Sequence, residues 1–233
     1  TLTTETLRGQ GEISAGSDVT VKASHLSFYG GKLKAGNQVL LQGEQNLTVR
    51  DADISGHDIA LISSGGISVS SGENNSTVAG TRAFSIISAA NTLHILSEQG
   101  ISLSNMLINR AKNIFLAGNG RVDINQSLGA DENIELHAGA GVNLRGISLT
   151  AGKDITLTSG HSLDIGKITA GNNLTMIAGR GITHTEAILS AEGAVAIAEN
   201  STALHSAEGK YIPVTSALID FGLGNAPRLT IHV

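Results

Sequence analysis

The stretch Ile13-Ser-Ala-Gly-Ser-Asp-Val19-Thr-Val21 returns as Leu33-Lys-Ala-Gly-Asn-Gln-Val39-Leu-Leu41, and one residue shorter as Ile54-Ser-Gly-His-Asp-Ile59-Ala-Leu61. Further copies begin at Ile87, Ile108, Leu128, Leu149, Ile168 and Leu189, so successive starts lie 20, 21, 33, 21, 20, 21, 19 and 21 residues apart. A fixed period of this size is the mark of stacked structural repeats, and it decides the architecture before any single element is assigned.

Within each copy two aliphatic residues stand one apart, as in Ile114 and Leu116, Ile134 and Leu136, or Leu174 and Met176. That is strand alternation, not helical spacing. A second alternating pair follows, for example Leu47 and Val49, Ile67 and Val69, Ile101 and Leu103, or Leu163 and Ile165. A strand, a crossover helix and a returning strand together need roughly 30 residues. Successive repeats of this length must therefore coil directly onto one another. The expected fold is all-β: a right-handed parallel β-helix, or solenoid, with rungs of about 20 residues and one inserted loop. Rungs in such a fold lie about 4.8 Å apart, so like residues stack on like.

Composition agrees with stacked aliphatic layers. The 233 residues include 29 Gly, 2 Pro, no Cys and no Trp, with 40% hydrophobic but only 3% aromatic side chains. Without cysteine there is no disulfide framework, no thiolate metal site and no nucleophilic thiol. A formal charge of −5 gives no electrostatic footprint for nucleic acid, and no partner of that kind is expected.

The corners repeat as well. Asx residues occupy one column just before the first aliphatic pair, at Asp18, Asp58, Asn113, Asn133, Asp154 and Asn173, where short side chains bond nearby backbone and tolerate left-handed conformations. Ala-Gly precedes the column at Ala15-Gly16, Ala35-Gly36, Ala151-Gly152 and Ala170-Gly171, and a small residue there lets rungs approach closely. Two places break the pattern. The interval from Ile54 to Ile87 exceeds the others by about a dozen residues, and the inserted loop, about 70–86, is polar and expected to project from the rod. The body of the solenoid is expected to span 1–209. Residues 210–233 hold both prolines and read as an irregular capping segment, or the start of the next region, covering the open edge of the last rung.

Ala151-Gly-Lys-Asp-Ile-Thr-Leu157 and Ala170-Gly-Asn-Asn-Leu-Thr-Met176 resemble the hemagglutinin repeats of filamentous hemagglutinin, over about Ile13 to Ala203. The same repeats occur in large exoproteins of two-partner secretion, including contact-dependent growth inhibition effectors. The resemblance implies a secreted protein at a Gram-negative bacterial surface, exported through an outer-membrane secretion partner. It also implies a long extracellular stalk or an adhesive, receptor-binding region. The Asn-Pro motifs of the family's secretion domain are not in this stretch, which reads as an interior fragment.

Some parallel β-helices degrade polysaccharides, and Asp51 and Asp53 are the best carboxylate pair, since alternate strand residues share a face. Their plain reading is a solvated strand edge, no clustered carboxylate motif accompanies them, and the scarcity of aromatics removes the usual sugar-stacking platforms. No enzyme activity is expected. The eight histidines show no short ligand spacing, so neither metal nor cofactor is expected. His94 should point outward and be merely solvated. His184 falls in phase with Ile182 and reads as a slip of the alternation. Gly-rich stretches such as Gly179-Arg-Gly181 lack the Gly-Lys-Ser/Thr of a phosphate loop and read as corners.

What remains is surface recognition by a monomeric rod. The expected function is an adhesin or receptor-binding segment recognising a target-cell receptor, either an outer-membrane protein or a lipopolysaccharide or other glycan. Glu73, Asn74, Asn75 and Arg82 of the inserted loop are the expected contacts. The alternative is a passive stalk that displays a distal adhesive or toxin domain.

Overall fold

Alternating aliphatic residues require a strand, and a twenty-residue period requires each strand to lie over its predecessor. The computed structural model meets both requirements. It describes residues 1–72, 85–184 and 189–199, and beyond them the short strands Ala203–Ser206, Tyr211–Pro213, Ala217–Ile219 and Leu229–Ile231. The described residues contain strands and turns but no helix.

Each rung carries strands on three faces. On the first face, parallel pairing runs Val19, Val39, Ile59, Leu93, Ile114, Ile134, Ile155, Leu174 and Val195, each residue beside the next. The neighbouring inward column is equally continuous, and Leu136, Leu157 and Met176 lie in one line. The second face stacks Leu47, Ile67, Ile101, Val122, Val142, Leu163 and Ile182. The third pairs Ile13 with Leu33, Leu33 with Ile54, Ile54 with Ile87, and Ile87 with Ile108. It resumes with Leu128, Leu149, Ile168 and Leu189. The three faces enclose one aliphatic core in which Phe28 is the only aromatic among the described residues.

Three features depart from the sequence reading. First, Ile108 and Leu128 are not ladder partners. The strand Leu128–Ala130 heads a separate four-stranded sheet. A register shift follows Ile87, and the amide of Met106 donates to the Gln126 side-chain oxygen at 3.0 Å instead of to a neighbouring strand. A side chain thus replaces one rung of backbone pairing. Second, the alternation does not slip at His184, which pairs with Ile165 in unbroken register with Ile182 and Leu163. Third, past Val195–Glu199 the described segments turn antiparallel, with Ile197 beside His205 and Leu204 beside Ile212.

The corners show why particular small residues recur. Where the first face bends into the second, the same position holds Gly43, Ser63, Ser97, Gly118, Ala138, Ser159 and Ala178. The buried serines there satisfy backbone groups: Ser97 Oγ donates to the Gly65 carbonyl at 2.7 Å and accepts from the Gln99 amide at 3.0 Å. Where the second face bends into the third, Gly30, Asp51, Asn105 and Gly146 have φ of 57°, 54°, 50° and 75°. Only Gly and Asx residues take this left-handed conformation routinely.

The Ala-Gly corner is governed by the rung beneath. A Cβ added to Gly36 would overlap the Gly16 carbonyl oxygen, one on Gly171 the Gly152 carbonyl, and one on Gly152 the Asp131 carbonyl. At Gly16, in the first described rung, nothing lies within 4 Å of such a Cβ. Gly171→Ala is therefore expected to destabilise the solenoid by about 1–3 kcal/mol through overpacking. Gly16→Ala should stay within about 0.5 kcal/mol of the parent. Urea denaturation of the two variants checks this, and equal midpoints would contradict the close-approach argument.

Candidate functional site

The Asx column is the most regular polar feature of the rod. Its side chains do not close their own turns. They reach to the next rung. Asp18 Oδ1 accepts from Asn37 Nδ2 at 2.8 Å and from the Gln38 amide at 3.1 Å, and Asp58 Oδ1 does the same with Asn91 Nδ2 and the Thr92 amide, at 2.9 and 3.1 Å. Asn133 donates to Asn113 Oδ1 at 2.9 Å and accepts from the Asp154 amide at 3.2 Å. Asp154 accepts from the Asn173 amide at 2.9 Å, and Asn173 from the Ala194 amide at 3.0 Å. None of these six residues has a positive φ. The sequence reading gave the column a corner-fixing role within each rung. The bonds instead run between rungs and carry the hydrogen-bond ladder around the bend. Beside the column, Glu132 lies between Lys112 and Lys153, with N–O distances of 3.2 and 3.1 Å, an ion-pair ladder of the same geometry.

The two ends of the inserted stretch are tied together on the rod. Glu73, Asn74, Asn75 and Arg82, the contacts expected from sequence, lie outside the described residues. The two ends of the segment are described. The amide of Ser85 donates to Ser71 Oγ at 2.7 Å, and Ser85 Oγ donates to the Ser70 carbonyl at 2.6 Å. Ser85 is fully buried and also accepts from the Ala52 amide at 3.3 Å. Gly72 donates its amide to Asp51 Oδ1 at 2.7 Å, while Asp51 Oδ2 lies 3.6 Å from Arg50 Nε. Asp51 is thus a neck residue in a left-handed corner. Asp53 stands beyond that corner on the third-face strand, beside Ile86.

The strand that the neck delivers, Ser85–Ala89, forms one wall of a groove on the third face. The groove holds about 290 Å³ and is lined by Lys34, Ser55, His57, Ser88 and Arg110, with Gly36, Gly56 and two alanines as its floor. Lys34, Ser55, Ser88 and Arg110 are consecutive in the ladder, so the two long cations stand at either end of two hydroxyls. Asn109 Nδ2 donates to Ser88 Oγ at 3.4 Å. Among the described residues neither Lys34 nor Arg110 has an ion-pair partner, whereas His57 lies 2.9 Å from Asp58. A shallow, water-facing groove with two cations unpaired among the described residues and neutral hydroxyls between them can hold a hydroxyl-rich anionic group. Sequence reading missed it, because its residues lie 21, 33 and 22 positions apart and converge only through the ladder.

The hemagglutinin repeat matches residues 3–166, most of the solenoid. The chain belongs to the hemagglutinin-repeat family. No curated protein and no solved structure matches it. Hemagglutinin-repeat proteins are filamentous hemagglutinin-like adhesins or stalks and are typically secreted surface exoproteins.

On the outer first face of this hemagglutinin-repeat rod the structure corrects the reading of His94. The ring points outward, but it is half-buried and packs against Phe115, with centroids 5.9 Å apart, and Phe115 meets His137 at 5.4 Å. Burial pushes the His94 pKa below its ordinary value, against the opposing charges of Asp58 and Glu135. Asp18 is held below the usual carboxylate range by its bonds from Asn37 and Gln38. Asp58 is raised by burial but lowered more by His57, Asn91 and Thr92, and Glu132 is lowered by Lys153 and Lys112.

These directions fix the acid response. A depressed carboxylate stabilises the fold above its unfolded pKa of about 4 and loses that contribution as pH falls through the folded value. A histidine with a depressed pKa is penalised once pH drops below about 6.5, because the unfolded chain takes the proton first. Denaturation midpoints should therefore decline in two steps, one beginning near neutrality and one below about pH 4. His94→Gln should abolish the upper step alone, as a pH series of urea melts would show. At the neck, Ser85→Ala leaves buried polar groups without partners and should cost about 1–3 kcal/mol. The same melts, with Ser68→Ala on an outward position as control, measure that loss.

Proposed function

We propose that this segment is an extracellular recognition element of a secreted surface exoprotein, binding a protein or glycan on a target cell. The observation that supports this reading is the long insertion in the repeating ladder of the rod. There the step from Ile59 to Leu93 takes 34 residues, and the extra length issues from a neck tied by Ser71 and Ser85. Hydrogen bonds fix the two ends of the insertion, Gly72 and Ser85, close to the groove of Lys34, Ser55, Ser88 and Arg110. Function on repeat scaffolds concentrates in such insertions. The groove chemistry favours an acidic, hydroxyl-bearing ligand such as a charged glycan. In this reading Glu73, Asn74, Asn75 and Arg82 supply further contacts, the rod acts as a monomer without catalysis, and an outer-membrane secretion partner exports the parent protein.

A second reading, the passive stalk, has its own support: the first-face ladder continues from Val19 to Val195 without a missing strand, as a load-bearing spacer requires. Excision separates the two. Replacing residues 73–84 with a short Gly-Ser linker should lower target-cell binding at least tenfold, about 1.4 kcal/mol, with the far-UV circular dichroism unchanged. Lys34→Glu combined with Arg110→Glu should weaken binding to cells bearing acidic glycans more than to cells stripped of them. Full binding by both variants would favour the stalk.

A further inference from the structure

In a strand with one face toward a core, the alternate side chains face water. On the first face this expectation fails over three successive rungs. Ile59 and Leu61 point inward, yet the outward Ala60 and Ile62 between and beyond them are only 1% and 2% exposed. In the next rungs outward Leu96 is 2% exposed and outward Ala117 is fully buried. Ile62, Leu96 and Ala117 are ladder partners, and Ala60, His94 and Phe115 form the adjoining column. Ala60, Ile62, Leu96 and Ala117, with Leu40 and Phe115 packed against them, make a second apolar cluster separate from the interior core. The outer positions of the other faces in the same rungs are different. Ser68, Ser102 and Asp123 on the second face are partly exposed and polar, and on the third face Arg110 and Leu107 are exposed.

An outward isoleucine or leucine on a bare sheet cannot reach 2% exposure from its strand neighbours alone, so a further layer covers the strip. The described strand Leu229–Ile231 lies against Asn113–Gly118, which carries Phe115 and Ala117. That strand pairs antiparallel with Ala217–Ile219, setting Ile231 beside Ala217 and Leu229 beside Ile219, so the alternate positions of the pair are apolar in both strands. A two-stranded piece with an apolar side is unstable alone and gains stability by lying on an apolar sheet.

We propose that the outer strip of Ala60, Ile62, Leu96, Phe115 and Ala117 is a docking surface whose occupant is the pair Ala217–Ile219 and Leu229–Ile231 of this chain. That pair then lies on the flank of the rod as a strap. Lifting the strap bares an apolar strip three rungs long on a rod whose other outer positions are mostly polar. The strap is therefore also the element that keeps this face from associating with other apolar surfaces.

The chain has no cysteine, so spin labels can be placed at will. In the full chain, labels at Thr230→Cys and Glu135→Cys, the latter on the outer first face, should give a narrow short distance, because packed sheets lie about 10 Å apart. Labels at Thr230→Cys and Thr150→Cys, the latter on the third face, should give a longer one. Ile62→Asp with Leu96→Asp puts carboxylates into the strip without touching the interior core, and should broaden the first distribution while the strand circular dichroism persists. Equal or broad distances in the parent pairs would overturn the proposal even if the Asp variant failed to fold. So would a short distance that disappears on dilution with unlabelled chain, which would make a second copy the occupant.

Discussion

The distance between successive rungs, about 4.8 Å, governs nearly everything else in this molecule. Each residue must tolerate a near-copy of itself directly above and below. For aliphatic side chains that closeness is favourable, since Val19, Val39, Ile59 and their successors stack into one column from end to end. For a corner it is restrictive. The Gly36 and Gly171 backbones come so near the carbonyl below that no side chain fits, and from Gly43 to Ala178 the corner between the first and second faces holds Gly, Ala or Ser. For polar groups the same closeness becomes a resource. At Asp18, Asp58, Asn133, Asp154 and Asn173 an Asx oxygen accepts from an amide of the next rung and joins two rungs where the backbone bends.

The ladder also explains which parts of the fold were legible in the sequence. Features repeated in every rung announce themselves by periodicity. The starts Ile13, Leu33, Ile54, Ile87 and Ile108 proved to be true neighbours, as did Leu128, Leu149, Ile168 and Leu189. Features used once are silent. The left-handed corner is filled by Gly30, Asp51, Asn105 or Gly146, which share a conformation but no flanking motif. The replacement of backbone pairing by Gln126 at Met106 leaves no periodic trace. His94 reads as an outward, solvated residue because alternation reports direction, whereas burial depends on what lies on top. For the same reason the alternation at His184 looked broken when its register was intact: a polar residue at an inward phase is a change of chemistry, not of geometry.

The candidate site was legible only in part, and the reason is again physical. A thirty-three-residue interval marks an insertion, but nothing in its length tells where it is anchored. The anchor is made of serines, Ser71 and Ser85, whose hydroxyls close the neck across fourteen positions, and of Asp51, one rung earlier. The groove is still more hidden. Lys34 and Arg110 are ordinary surface cations in sequence, and only the stacking of rungs puts them on one line with Ser55 and Ser88 between them. Sites on a solenoid are written in columns, while a sequence is read in rows.

That geometry has a consequence for how such rods acquire function. Because each rung contacts chiefly its neighbours, a change of outward side chains over three or four rungs alters the surface without disturbing the core beneath. The first face shows the principle: Ala60, Ile62, Leu96 and Ala117 form an apolar cluster that shares no member with the interior one, although their strand neighbours Ile59, Leu61, Ile95 and Leu116 belong to it. Interior columns are constrained by stacking, and exterior columns are constrained only by what they meet. A β-solenoid can therefore keep one repeated core and carry an anion-accepting groove on one face and a strap-covered apolar strip on another. The two demands fall on alternate residues of the same strands and do not compete.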